Sequence, residues 1–213
     1  MMSRRSLALG SFVGAVAFSL ALSLGVARAQ DAVATTATAT TTTAPTSAPE
    51  PMVANPHYLA WAKYKPGTQV ELEMNLLAGG QQMTTTVTMT LNEITPERAI
   101  VRSVARMSVP GLPSGQEHQQ THTFNIIVPQ SEADRAMRPA GGEGELKQAG
   151  TEIVEAAGRT FQTKVHEFNG MVQGVPAQAK QWRSNEVPGG LVKIESSTGN
   201  TKLQMFLTRV TAK

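Results

Sequence analysis

From Thr68 onward the chain alternates apolar and polar residues so regularly that one face of a sheet can be read directly. Val70, Leu72, Met74 and Leu76 are interleaved with Glu71, Glu73 and Asn75. Beyond Gly79-Gly80, Met83, Val87, Met89 and Leu91 are interleaved with Gln82, Thr84, Thr86, Thr88 and Thr90. Successive side chains of a strand point to opposite faces, so a period of two predicts strands buried on one side only. The glycine pair supplies the positive φ of a tight reversal, which predicts an antiparallel hairpin.

The same pattern recurs further along. Thr95-Pro96-Glu97 reads as a turn, after which Val101, Ala105, Met107 and Val109 oppose Arg102 and Arg106. Val109 to Gly115 is a Pro/Gly loop. Thr121 to Val128 predicts one strand with His122, Phe124, Ile126 and Val128 on a common face. Ser131 to Gly144 mixes charge, proline and glycine and reads as a mobile loop with a single helical turn. Thr151 to Glu155 and Thr160 to Phe168 flank Gly158, with Phe161, Thr163 and Val165 inward. Gln178 to Ser184 and Leu191 to Ser196 follow. After the Thr198-Gly199-Asn200 turn, Leu203, Met205 and Leu207 oppose Phe206. Before all of these, Asn55-Pro56 suits an N-cap and first helical residue. A short helix should run to about Tyr64, placing Tyr58 and Trp61 on one side to cap the end of the sheet. The fold class is therefore mainly β: a single antiparallel, curved sheet or half-barrel of about nine strands with one short N-terminal helix.

Gln181 to Lys193 is the most distinctive stretch. It carries one of the two tryptophans, then Val-Pro-Gly-Gly, then a strand. Pro188 fixes its own φ and extends Val187, and Gly189 or Gly190 can take positive φ to reverse the chain. A corner pinned by a core tryptophan accounts for the pattern. A recognition loop does so as well, with Trp182, Arg183, Glu186, Val187, Pro188, Gly189, Gly190 and Lys193 as the partner-binding candidates.

The N-terminus says where the chain goes. Arg4 and Arg5 precede an apolar run from Leu7 to Val26, and Ala27-Arg28-Ala29 has the small-x-small form of a cleavage site. Residues 1–29 read as a signal peptide, residues 30–55 as a disordered Thr/Ala/Pro-rich linker, and residues 56–213 as a β-rich globular domain. The expected destination is the periplasm or the exterior, with no stable membrane span after cleavage. Cleavage removes Arg4, Arg5 and Arg28 from the 19 basic side chains and none of the 16 acidic ones, so the two counts become equal. A near-neutral surface lacks the basic footprint of a nucleic-acid binder.

Chemistry is sparse. With no cysteine, thiol catalysis, disulfides and thiolate metal sites are excluded. The only aspartates, Asp31 and Asp134, lie in segments expected to be disordered or mobile, so a Ser-His-Asp relay has no buried acid, and Ser184 lacks a nucleophile elbow. His118 and His122, four apart, would share a strand face, and with Glu117 they outline a weak metal site; two histidines without a third fixed ligand are more often plain polar residues. His166, beside Lys164 and Glu167, reads as solvent-facing. The methionines are scattered singly at inward strand positions, where they fill core gaps. No catalytic residue, cofactor or metal is expected.

Trp61 to Gly67 (WAKYKPG), Gly158 to Val165 (GRTFQTKV) and Trp182 to Lys193 (WRSNEVPGGLVK) resemble segments of a group of exported bacterial proteins without an assigned activity. That resemblance spans most of the globular domain and implies no catalytic residues. More distantly, a signal followed by a curved antiparallel sheet is similar to the lipoprotein-carrier and lipoprotein-receptor half-barrels of the bacterial envelope, whose helices plug the concave face. Two functional readings follow. In one, a non-enzymatic envelope protein binds an apolar ligand, or a lipidated or peptide partner, on the curved sheet. The apolar face of Val70, Leu72, Met74, Met83, Val87, Met89 and Leu91 must be covered, and a ligand is one cover. In the other, a structural or interaction module tethered by the linker uses the Trp182 to Lys193 loop as its contact.

Export predicts cleavage after Ala29. The intact mass of the secreted protein should correspond to a chain beginning at Gln30; a mature chain that retains Arg4 and Arg5 would identify an uncleaved anchor instead.

Overall fold

The computed structural model describes residues 49–108 and 117–213. The expected signal peptide, most of the expected linker and the expected Val109 to Gly115 loop lie outside the described residues. Nine strands form one antiparallel sheet in the order β5-β4-β3-β2-β11-β10-β9-β8-β7. They are β2 (Gln69–Ala78), β3 (Gln81–Ile94), β4 (Arg98–Ser108), β5 (Glu117–Asn125), β7 (Gly142–Ala156), β8 (Arg159–Val172), β9 (Val175–Arg183), β10 (Leu191–Thr198) and β11 (Thr201–Thr211). Two meanders run outward and back, and the pairing of β2 with β11 joins them at the centre. The sheet rolls but does not close into a barrel. Cα atoms of β7 and β11, four places apart in the strand order, come within 8 Å.

The alternation places the core as expected. Val70, Leu72, Met74 and Leu76 are buried, and the register sets them against Met89, Val87, Thr85 and Met83 on β3 and against Val210, Leu207, Met205 and Leu203 on β11. Leu91, Val101 and Ala99 continue this face and are fully buried. Gly79 and Gly80 both have positive φ, as a two-residue hairpin of this hand needs. Polar residues also sit buried on the apolar face, among them Thr85, His122 and Gln181.

Helix α1 (Pro56–Trp61) begins as its sequence dictates: the Asn55 side chain accepts from the His57 N–H at 2.9 Å, and Pro56 occupies the first turn. It lies on the apolar face. Trp61 is 1% exposed, and the Tyr58 hydroxyl donates to the Thr95 carbonyl at 2.9 Å.

Four expectations need correction. The folded part reaches back into the expected linker, because β1 (Met52–Ala54) pairs with β6 (Ile127–Pro129) in a separate two-stranded sheet. Three residues between prolines carry no readable period. For the same reason the single strand expected over Thr121 to Val128 breaks at Ile126, whose N–H turns to the Glu97 carbonyl. The expected mobile loop after Ser131 contains α2 (Gln130–Ala136), so there are two helices among the described residues. Only Ala133 of α2 is buried and Pro129 offers no side-chain cap, so the sequence lacks the usual helix signals. Finally, β7 starts well before Thr151, at Gly142; almost all of it is exposed, so no alternation marks it.

α2 packs beside α1 on the apolar face, which we call the helix face. His57 stacks on Phe124 with ring centroids 5.1 Å apart, and its Nε2 lies 3.2 Å from the Ala136 carbonyl. Gln181 of β9 donates to the Met137 carbonyl at 3.3 Å. Burial, reinforced by the Arg183 cation, pulls the His57 pKa down to about 4, while its bond to Ala136 opposes the shift. The unfolded chain therefore takes up this proton first, near pH 6.5, and the folded state loses stability as pH falls from there to about 4. That difference corresponds to roughly 3 kcal/mol. The gap in unfolding free energy between the wild type and His57→Gln, which keeps a donor for Ala136 but cannot titrate, should change by about this amount between pH 7 and pH 4. A gap independent of pH would contradict the buried placement of His57.

Candidate functional site

β9 carries the distinctive stretch and divides it between two faces. Gln181 and Arg183 point to the helix face, and Trp182 between them points to the opposite, open face. Trp182 is nonetheless 5% exposed. Its indole N–H donates to Glu152 Oε2 on β7 at 2.7 Å, satisfying the one polar group of the ring. Lys180 and Lys193 stand over the ring with their Nζ atoms 4.9 and 4.7 Å from its centroid. Lys180 also bonds Glu152 at 2.8 Å, and Lys193 bonds Glu195 at 2.8 Å. The hydrogen bonds from Lys180 and then Trp182 hold the Glu152 carboxyl below its ordinary range. These ions are well exposed to solvent, so they contribute little stability and act mainly as a lid on the indole.

The Val-Pro-Gly-Gly segment forms a turn closed by the Gly190 N–H on the Val187 carbonyl at 2.8 Å, with Pro188 and Gly189 as its central residues. Gly189 and Gly190 both have positive φ, +75° and +77°. The turn packs inward. Val187, Pro188 and Gly190 are buried, and the Gly189 N–H donates to the Ala60 carbonyl of α1 at 3.1 Å. Arg183 donates to the Gly189 carbonyl at 3.2 Å, and burial draws its pKa down to about 10. Ser184 is buried and its hydroxyl accepts from the Glu186 N–H at 3.3 Å. Of the eight partner-binding candidates, Trp182 and Lys193 share the open face, Arg183, Val187, Pro188, Gly189 and Gly190 build the seat of α1, and Glu186 alone is exposed on the turn.

Next to the Trp182 row, the open face holds a trough of about 700 Å³. Its floor is backbone at Leu76, Leu203, Ser196, Ala179 and Phe168, whose side chains point to the helix face. Its walls are two cross-strand rows. Asn75, Gln204, Glu195, Lys180 and Glu167 form the row nearer Trp182. Leu77, Lys202, Ser197, Gln178 and Asn169 form the other. A smaller cavity of about 300 Å³, lined by Thr88, Thr90, Arg102 and Arg106 among others, opens on the same face over β2 to β5. The cavity expected over the apolar residues is instead occupied by the protein itself. Tyr58 and Trp61 join Val70, Leu72, Met74 and Leu91 in one core cluster, with Met83, Val87 and Met89 packed half-buried at its margin.

The other candidates are placed as follows. His118 and His122 do share a face of β5, but His118 is exposed and His122 is buried with its Nε2 2.9 Å from Ser103 Oγ. Glu117 points the other way and pairs with Arg106 at 3.1 Å. His166 is half-buried on the Arg183 side rather than solvent-facing, and burial followed by the Arg183 and Lys164 cations lowers its pKa. Asp134 accepts from Gln130 within α2. The trough was the part that sequence reading missed. Its walls are the polar half of the same alternation that marks the core, and the available signal was a concentration of amides (Asn75, Asn169, Gln178, Gln204) where charged residues are usual.

No family model matches the chain, and no curated protein matches it. Solved structures with a related course of chain exist. One is a provisionally assigned exported protein with a YmcC-like fold from Bacteroides fragilis, 10% identical, covering 71% of this chain and 98% of its own, with a TM-score of 0.42. Another is a provisionally assigned lipoprotein from Parabacteroides distasonis, 11% identical over the same shares, with a TM-score of 0.45. A third is a provisionally assigned outer-membrane lipoprotein-sorting domain from Vibrio parahaemolyticus, 8% identical, covering 68% and 85%, with a TM-score of 0.27. At these identities and scores the likeness carries nothing about what this chain does.

Proposed function

We propose that this is an exported, non-enzymatic envelope protein that acts by binding, and that its binding site is the trough on the open face of the curved sheet. The signal sequence supports export. The observation that carries the binding reading is the trough itself: about 700 Å³ with a floor of hydrogen-bonded strand backbone, within the usual size range of ligand sites. A floor of this kind keeps its shape without help from a ligand. Trp182 and Lys193 flank the site, and the rest of their loop holds the fold in place. A lining of amides, hydroxyls and ions suits a polar partner such as a peptide better than an acyl chain.

A second reading keeps the apolar ligand on the helix face. Met83, Val87 and Met89 favour it, because they are only half-buried at the edge of the core and methionine adapts to varied contacts. Entry there requires α1 and α2 to move.

Native mass spectrometry of the chain purified from its own host separates the two. The trough reading predicts a co-purifying mass that is lost in Ser197→Trp, which fills the trough from an outward strand position, and retained in Met89→Glu. The opposite pattern selects the helix face. Bare protein in both variants and in the wild type contradicts binding by either face.

A further inference from the structure

We infer that the trough takes an extended polypeptide segment of about six residues carrying an acidic side chain towards one end. This deepens the binding reading above and rests on it.

Length comes first. The trough crosses β2, β11, β10, β9 and β8, with Gln82 of β3 at its margin. Strands repeat every 4.7–4.9 Å, so the walk from β2 to β8 covers roughly 19 Å, and a chain extended at about 3.3 Å per residue needs about six residues to span it. The chemistry of the walls comes second. Asn169, Gln178 and Gln204 each present both a donor and an acceptor, while the Asn75 amide already donates to Glu73 and accepts from Thr84. A peptide offers the same pair once per residue, so its backbone can be read along the whole trough without any particular side chain.

Charge places one side chain. Lys180 is engaged by Glu152 at 2.8 Å and Glu167 at 4.0 Å, and Glu195 by Lys193 at 2.8 Å. Lys202 also lines the trough, on β11 one strand in from β2, and has no carboxylate within 4.0 Å among the described residues. Lys180, Lys193 and Lys202 thus balance Glu152, Glu167 and Glu195 in number, and Lys202 is the lysine of the three left without a direct carboxylate partner among the described residues. A carboxylate placed over it gains a charge-assisted hydrogen bond.

The ends are apolar. Leu77 on β2 and Met171 just beyond the trough on β8 are each 42% exposed. Apolar side chains at the two ends of the segment would cover them. A glycan fits less well. Sugars are commonly held against an aromatic ring, whereas the Phe168 ring is buried below the floor and the Trp182 ring lies under two lysines.

The test is selection of a phage-displayed library of unconstrained hexapeptides on the immobilised secreted chain, with counter-selection on Ser197→Trp. Enriched sequences should share an acidic residue next to one of two apolar ends. Synthetic copies should bind Lys202→Glu at least ten-fold more weakly, and replacing the peptide acid by lysine should restore binding to that variant. Lys202 is an exposed strand residue, so retained circular dichroism separates loss of binding from loss of fold. Failure to enrich any sequence over the counter-selection overturns the peptide inference. So does enrichment of sequences indifferent to Lys202→Glu. Chitotetraose that perturbs only trough resonances in NMR, with no peptide enriched, overturns the peptide while leaving the trough as the binding site. Ligand loss in Met89→Glu alone, by native mass spectrometry, would remove the trough reading itself.

Discussion

The contact on which the rest of this fold depends is the Trp61 ring against the backbone of Gly189. An added Cβ at that glycine would sit 3.1 Å from the indole ring, closer than ordinary van der Waals contact. The close approach is secured from both sides. The Gly189 N–H bonds the Ala60 carbonyl, and Arg183 holds the Gly189 carbonyl. A six-residue helix has little stability of its own in water, so α1 exists because it is seated. Burying an indole of this size contributes on the order of 2–3 kcal/mol, which exceeds what its cap supplies.

From that seat the division of the two faces follows. With Tyr58 and Trp61 in the core cluster, the face of Val70, Leu72 and Met74 is covered by the protein's own side chains. α2 completes the cover through His57 and Gln181. Away from Phe161, Val165 and Trp182, which are buried in the same core cluster, the open face carries amides and ions in ordered cross-strand rows. Trp182 links the two halves of the arrangement: its neighbours on β9 face the helices, while its own ring, capped by Lys180 and Lys193, forms the border of the trough. A side chain one residue along a strand thus belongs to a different structural task.

What was legible in the sequence was what repeats. The β2–β3 hairpin, the inward set on β4 and β11, and the Asn55-Pro56 start of α1 were all readable, because each rests on a local period or a cap. Elements held by distant partners were not. β1 has three residues and exists through its pairing with β6; α2 has no capping side chain and one buried residue; β7 is exposed along most of its length. The Val187 to Gly190 turn was read as a corner from its own residues, but its docking on Trp61 depends on a helix far away in sequence. For the same reason the trough went unseen. Its walls come from strands β2, β3 and β8 to β11, and only the register brings Asn75, Gln204 and Gln178 alongside one another.

The central claim, that Gly189 seats α1 through close approach to Trp61, is tested most directly by comparing two glycine substitutions. Gly80 and Gly189 have nearly the same φ, +79° and +75°, but a Cβ at Gly80 meets nothing within 4 Å. Gly80→Ala therefore reports the backbone cost alone, and Gly189→Ala reports that cost plus the overpacking against the indole. In urea unfolding followed by circular dichroism, Gly189→Ala should be less stable than Gly80→Ala by at least about 1 kcal/mol. Equal losses for the two variants would mean that Trp61 yields freely at that contact, and the seat described for α1 would be wrong.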